Sequence, residues 1–82
     1  MNFIRLGDST DHGGKVISAS STMVFDGRPL ARKGDEVSCP KHPDVRPNRI
    51  IEGDESTTDD GVPIARQGHR AMCGCRLISS LQ

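Results

Sequence analysis

Six side chains in this 82-residue sequence have the chemistry to hold a metal ion: His12, Cys39, His42, His69, Cys73 and Cys75. Cys39-x-x-His42 suits two ligands leaving one tight loop, and His69-x-x-x-Cys73 suits two from a second. Zn²⁺ in a structural site takes four such nitrogen or sulfur donors in a tetrahedron, so six candidates compete for four places. Either pair alone is weak evidence. The plainer reading makes the cysteines small apolar core residues and the histidines hydrogen-bonded turn residues, and for Cys75 the plainer reading is the better one. Cys, His and Asp together also have the makings of a nucleophile and its base. A reactive thiol needs an exposed, electropositive setting, however, and these stand in glycine-rich loops among rival ligands. The chain is read as non-enzymatic.

What must position these residues is an internal repeat. Gly27-Arg-Pro-Leu-Ala-Arg-Lys-Gly-Asp-Glu-Val-Ser-Cys39 is matched without a gap by Gly61-Val-Pro-Ile-Ala-Arg-Gln-Gly-His-Arg-Ala-Met-Cys73, 34 residues further on. A shorter copy, Ile4-Arg-Leu-Gly-Asp8, opens the chain, and His12 follows it at the place that Cys39 and Cys73 hold. Three partial copies are too few and too small for a solenoid. They predict pseudo-threefold packing about a central axis, with His12, Cys39 and Cys73 meeting at one end. His42 and His69 then lie near enough to join them. The recurring Arg5, Arg32 and Arg66 are expected to pair with nearby aspartates or turn carbonyls rather than to build an anion site.

The elements between the ligands read as short strands, and nowhere do apolar residues keep a helical period long enough for a stable helix. Strands are expected from Met1 to Leu6, over Lys15–Ser18, Thr22–Phe25, Arg28–Arg32, Arg49–Glu52 and Val62–Arg66, and from Leu77 to Leu81. Asp26-Gly27 and Asp60-Gly61 are hairpin signals. Pro29 and Pro63 lack an N–H and belong at strand starts or edges. The run from Cys39 to Asn48 holds three prolines and reads as a rigid irregular loop. Gly53 to Asp60 is the most polar stretch and stands where the other copy has Met23, Val24 and Phe25; it is expected to be the less buried arm.

Composition agrees with one small all-β domain spanning residues 1–82. Two Phe, no Trp, no Tyr and 33% hydrophobic residues make a thin core, whose burial barely offsets the entropy of ordering the chain. Small domains in this position recruit disulfides, a metal or a partner. The N-terminus has no signal-peptide run and no segment has the ~20 apolar residues of a membrane span, so synthesis and folding are expected in the cytosol, where thiols stay reduced. Eleven basic residues balance eleven acidic ones, which argues against a nucleic-acid partner.

Taken together, these residues resemble the PAAR-repeat family, which caps the trimeric spike of type VI secretion systems. The family name is legible in Pro29-Leu-Ala-Arg32 and Pro63-Ile-Ala-Arg66, with Leu and Ile at the second position. Asp11-His-Gly-Gly14, Ser38-Cys-Pro-Lys-His42 and Cys73-Gly-Cys-Arg-Leu-Ile-Ser79 also match its signatures, from about residue 4 to 80. The resemblance implies a cone of short strands with one zinc near its sharp end, held by His12, His42, His69 and Cys73, with Cys39 as the alternative thiolate. It further implies docking of the broad base on a VgrG-type trimeric spike, one tip per trimer, with secreted effectors as further partners. The tip is then assembled in the cytoplasm and expelled by the contractile apparatus, crossing a membrane only as part of the spike. No effector extension is expected. A small zinc-binding adaptor serving a different protein partner is the alternative. Two features depart from the family pattern: the acidic Asp54–Asp60 segment and the proline-rich loop.

Overall fold

Ile4, Ala31 and Ala65 hold equivalent places in the three copies, and their backbones close a ring. The Ile4 N–H donates to Ala65 O (3.0 Å), the Ala65 N–H to Ala31 O (3.0 Å) and the Ala31 N–H to Ile4 O (2.8 Å). All three residues are fully buried, and three segments of the chain meeting on one axis explain why two of them are alanine. This ring is the pseudo-threefold axis of the computed structural model, which describes residues 2–81.

Each copy leaves the ring through its Arg-x-Gly-Asp/His turn, and the turns are built alike. The N–H groups of Gly7, Gly34 and Gly68 donate to Val16 O, Ile50 O and Leu77 O at 3.0, 2.8 and 2.9 Å. In return the N–H groups of Val16, Ile50 and Leu77 donate to Asp8 O, Asp35 O and His69 O at 2.8, 2.9 and 2.9 Å. Val16, Ile50 and Leu77 are thereby turned inward, at most 2% exposed, and fill the space along the axis. The last residue of each turn closes it with its side chain. Arg5 N–H donates to Asp8 Oδ2 (2.8 Å) and Arg32 N–H to Asp35 Oδ2 (2.7 Å), while Arg66 N–H donates to His69 Nδ1 (2.9 Å).

Around this centre stand three two-stranded antiparallel sheets, and the fold is all-β with no helix among the described residues. β1 (Ser9–Thr10) pairs with β6 (Leu77–Ile78), joining the two ends of the chain. β2 (Val24–Phe25) pairs with β3 (Arg28–Pro29), and β4 (Asp54–Asp59) pairs with β5 (Val62–Ile64). Both hairpins turn as expected on Asp-Gly. φ is positive at Asp26 (52°), Gly27 (86°), Asp60 (54°) and Gly61 (83°), the primed turn geometry that matches strand twist. Pro29 and Pro63 fall in these outer pairs, where a missing N–H costs no interior ladder bond.

Several expected strands are shorter than the sequence suggests. Within the expected first strand, whose Met1 lies outside the described residues, Phe3 and Arg5 make single bridges to Arg66 and Leu30. Val16 and Ile50 likewise bridge once, to Val37 and Ala71. The reason is the threefold wrap: each segment touches its neighbour once before curving to the next copy. β6 also stops at Ile78, because Ser79 and Ser80 turn to other partners. Ser79 Oγ donates to Phe3 O (2.8 Å), and Ser80 Oγ donates to Asp8 Oδ1 (2.6 Å) while accepting from Arg5 Nη2 (2.8 Å).

One expectation is reversed. The polar segment after Gly53 is β4, the longest strand, and it ends on a buried Asp59. Val24 and Phe25 on the apolar arm are 62% and 44% exposed. Charge pairing overrides hydropathy here. Asp59 accepts from the hydroxyls of Ser20 and Thr22 and lies 3.6 Å from Arg32 Nη1, and Asp54 accepts from Arg66 Nη1. Arg5, whose Nη1 donates to Phe25 O and Asp26 O (3.3 and 3.2 Å), completes the expected set of arginine pairings.

Candidate metal centre

Past the turns, the three copies continue side by side toward His12, Cys39 and Cys73. Ser38 N–H donates to Lys15 O (2.8 Å), Met72 N–H to Arg49 O (2.9 Å) and Asp11 N–H to Arg76 O (3.0 Å), so each copy is tied to the next just before its ligand. Gly14, Asn48 and Cys75 then hold equivalent places, since their carbonyls accept from Thr10, Val37 and Ala71. A Cβ at Gly14 would meet Ser38 O at 1.8 Å, so only glycine fits there. In the second copy Asn48 stands nine positions after Cys39, where the matching residues of the other copies stand two positions apart. The excess is the proline-rich loop, and it carries His42.

The structure brings His12, Cys39, Cys73 and Cys75 together, each offering an atom within 4.8 Å of all the others. Cys39 and Cys75 are buried and Cys73 is half-buried; all three are free thiols. Cys39 Sγ stands 3.5 Å from His12 Nδ1. The other ring nitrogen, Nε2, lies 3.8 Å from Asp11 Oδ1, which itself accepts from Arg76 N–H (2.8 Å). Asn48 brackets Cys73: its Nδ2 donates to Sγ (3.1 Å) and its Oδ1 accepts from the Cys73 N–H (3.2 Å).

The three thiols have different acidities. Burial pushes the Cys75 thiol up to about 12, and hydrogen bonding with Cys73 adds to that. Burial also raises Cys39. At Cys73 burial raises the pKa too, but hydrogen bonds with the Cys75 backbone, the Asn48 amide and the neighbouring thiols outweigh it, and the net shift is downward. Cys73 is the thiol readiest to ionise.

Of the six candidates, His12, Cys39 and Cys73 meet as their repeat positions predict. Cys75, read from sequence as a core residue, puts its sulfur in the same group; the signal for it was the Cys73-x-Cys75 spacing. His42 is adjacent, its ring centroid 5.3 Å from that of His12. The structure does not bring His69 to the group. Its Nδ1 accepts the Arg66 N–H, standing in for the carboxylates of Asp8 and Asp35.

The donor set fits one structural metal ion. Three sulfurs and one imidazole nitrogen suit a tetrahedral site, in which sulfur-to-metal bonds of ~2.3 Å put neighbouring sulfurs about 3.8 Å apart. Atoms already within 4.8 Å need little contraction to reach that. Asp11 and Asn48 are placed as outer partners of His12 and Cys73, an arrangement of the kind that orients metal-binding side chains.

A family model described as the PAAR motif matches residues 6–79. No curated protein matches the chain.

Proposed function

The chain belongs to the PAAR-motif family, and on that premise we propose that it is the tip of a contractile-injection spike, capping a VgrG-type trimer one tip to three subunits. The observation that carries this reading is the hydrogen-bonded ring of Ile4, Ala31 and Ala65. It lets one chain present three similar arms, which is what a monomer needs in order to sit on a threefold partner. Exposed Val24 and Phe25 on the β2–β3 arm offer apolar surface for that contact. The role is mechanical. The protein is assembled in the cytoplasm and leaves with the spike, and effectors are further partners of the tip.

The tip holds one Zn²⁺ through His12, Cys39 and Cys73 from the three copies and Cys75 as the fourth ligand. A metal there ties the three copies together at the end of the axis, where there is no volume for an apolar core. A second reading puts His42 in place of Cys75, because its ring lies beside that of His12. The two readings separate on zinc content: Cys75→Ala loses the ion under the first and keeps it under the second, with His42→Ala the converse.

The test of the function is co-elution with the cognate trimeric spike, with mass measured by light scattering. A one-to-three complex is expected. No complex with the spike, together with capture of an unrelated protein, would establish the adaptor reading instead. Purified protein should carry about one zinc per chain, and a metal-free protein with an unchanged melting temperature would remove the structural ion from the proposal.

A further inference from the structure

We infer that Asn48 is the positioning residue of the metal centre, holding Cys73 as the thiolate that faces the ion. The inference rests on the metal reading above. Asn48 is 4% exposed, and its carbonyl accepts the Val37 N–H (2.8 Å), so the residue is fixed from behind. Its amide engages one residue at both ends. The Cys73 N–H is a donor only, so the amide atom it meets must be Oδ1 (3.2 Å). The NH₂ is therefore turned to Cys73 Sγ (3.1 Å). An N–H directed at sulfur stabilises the anion over the thiol and fixes the direction of its lone pairs. The other two copies have no such amide at the equivalent place: Gly14 has no side chain, and Cys75 contributes a sulfur to the group itself. Asn48 thus gives the threefold site a side-chain amide donor to Cys73, alongside the backbone N–H groups that face the sulfurs.

Two substitutions separate positioning from packing. Asn48→Asp keeps the shape and the acceptor for the Cys73 N–H, but it replaces the donor with a carboxylate oxygen against the sulfur. Asn48→Ala removes both contacts and leaves the sulfur unopposed. A positioning role makes the isosteric Asp variant the weaker zinc binder of the two. Chelator competition should show affinity reduced by about 10–100-fold, and in the cobalt-substituted protein the sulfur-to-metal charge-transfer band should move to lower energy in both variants. A packing role gives the opposite order, Asp milder than Ala, with the cobalt band unmoved. Either that order or wild-type affinity in Asn48→Asp overturns the inference. If the Ala variant does not fold, the Asp variant against wild type, on both readouts, decides. Wild-type protein that takes up no zinc overturns the metal reading itself, which distinguishes the two failures.

Discussion

The β2–β3 and β4–β5 hairpins are two copies of one design that have been put to opposite uses. Both turn on Asp-Gly with nearly the same backbone angles, both return through a proline, and both lead into an Ala-Arg of the central ring. Yet Val24 and Phe25 face outward on the first, while the second runs through Asp54-Glu-Ser-Thr-Thr-Asp59 and buries its last carboxylate. The apolar interior is filled by residues such as Ile4, Val16, Val37, Ile50 and Leu77, and neither Val24 nor Phe25 reaches it. Of the strands in the two hairpins, only β5 sends an apolar side chain, Ile64, into the interior. What they bury depends on polar partners: Ser20, Thr22, Arg32 and Arg66 gather on the carboxylates of the acidic arm, whereas on the apolar arm Arg5 reaches only the Phe25 and Asp26 carbonyls of the turn. The apolar arm is left with Phe3 edge-on to Phe25 at 5.6 Å and a surface free for another protein.

The comparison breaks most readily at Asp59. Asp59→Ala leaves two hydroxyls and Arg32 without their shared acceptor, and for the buried Ser20 hydroxyl a lost acceptor is costly. The melting temperature should fall further than for any other single change in either arm, and calorimetry on the zinc-loaded protein measures it. An unchanged value would mean the acidic arm is held by its turn alone.

The turns themselves should behave alike. Neither Gly27 nor Gly61 has a neighbour within 4 Å of an added Cβ, so Gly27→Ala and Gly61→Ala meet only the left-handed backbone penalty of about 1 kcal/mol. In a domain of this size that lowers the melting temperature by about 4–8 °C. Unequal falls would show that the two hairpins are not equivalent supports.

Acid should act on one arm. Asp54 is held at about 2 by the Ser56 hydroxyl and then by Arg66. Asp59 is lowered by Ser20 and then Thr22, and Glu52 by the Arg70 backbone and side chain. Unfolded carboxyls take their protons near ~4, above the folded values. Their contribution is therefore present above that pH and is lost as pH falls toward 2. In melting curves between pH 5 and 2, Asp54→Asn should flatten the low-pH decline, and hydrogen exchange should rise first along β4–β5. A decline equally steep in the variant would assign it elsewhere, to protonation within the His12, Cys39, Cys73 and Cys75 group.

The smallest effect on stability belongs to Val24→Ser, within about 0.5 kcal/mol as for most exposed positions. Its consequence should instead appear in spike binding. Retained binding, measured by co-elution, would remove the apolar arm from the docking surface.

Much of the fold was legible because repetition and turn chemistry are local. Two Asp-Gly pairs called for positive φ at known places, and the copies of the Arg-x-Gly turn aligned His12, Cys39 and Cys73 before any contact was known. Strand length was less legible, since alternation marks a segment as extended but not how soon it curves away from its partner. Ile50 reads as strand interior and makes a single bridge. Asn48 gave no signal at all: nothing in a lone asparagine nine residues after a cysteine announces that it brackets a different cysteine from another copy.

The sequence by itself therefore determined the all-β class, the three copies about an axis, both hairpin turns and three members of the His/Cys group, because each follows from residue spacing and backbone preference. Only the tertiary structure decided the fourth member and the buried arm. Cys75 enters the group because its carbonyl takes the Ala71 N–H and turns its sulfur inward; His69 stays out because the Arg66 N–H engages its ring. Both outcomes depend on which polar atoms find partners across space, and spacing along the chain does not specify that.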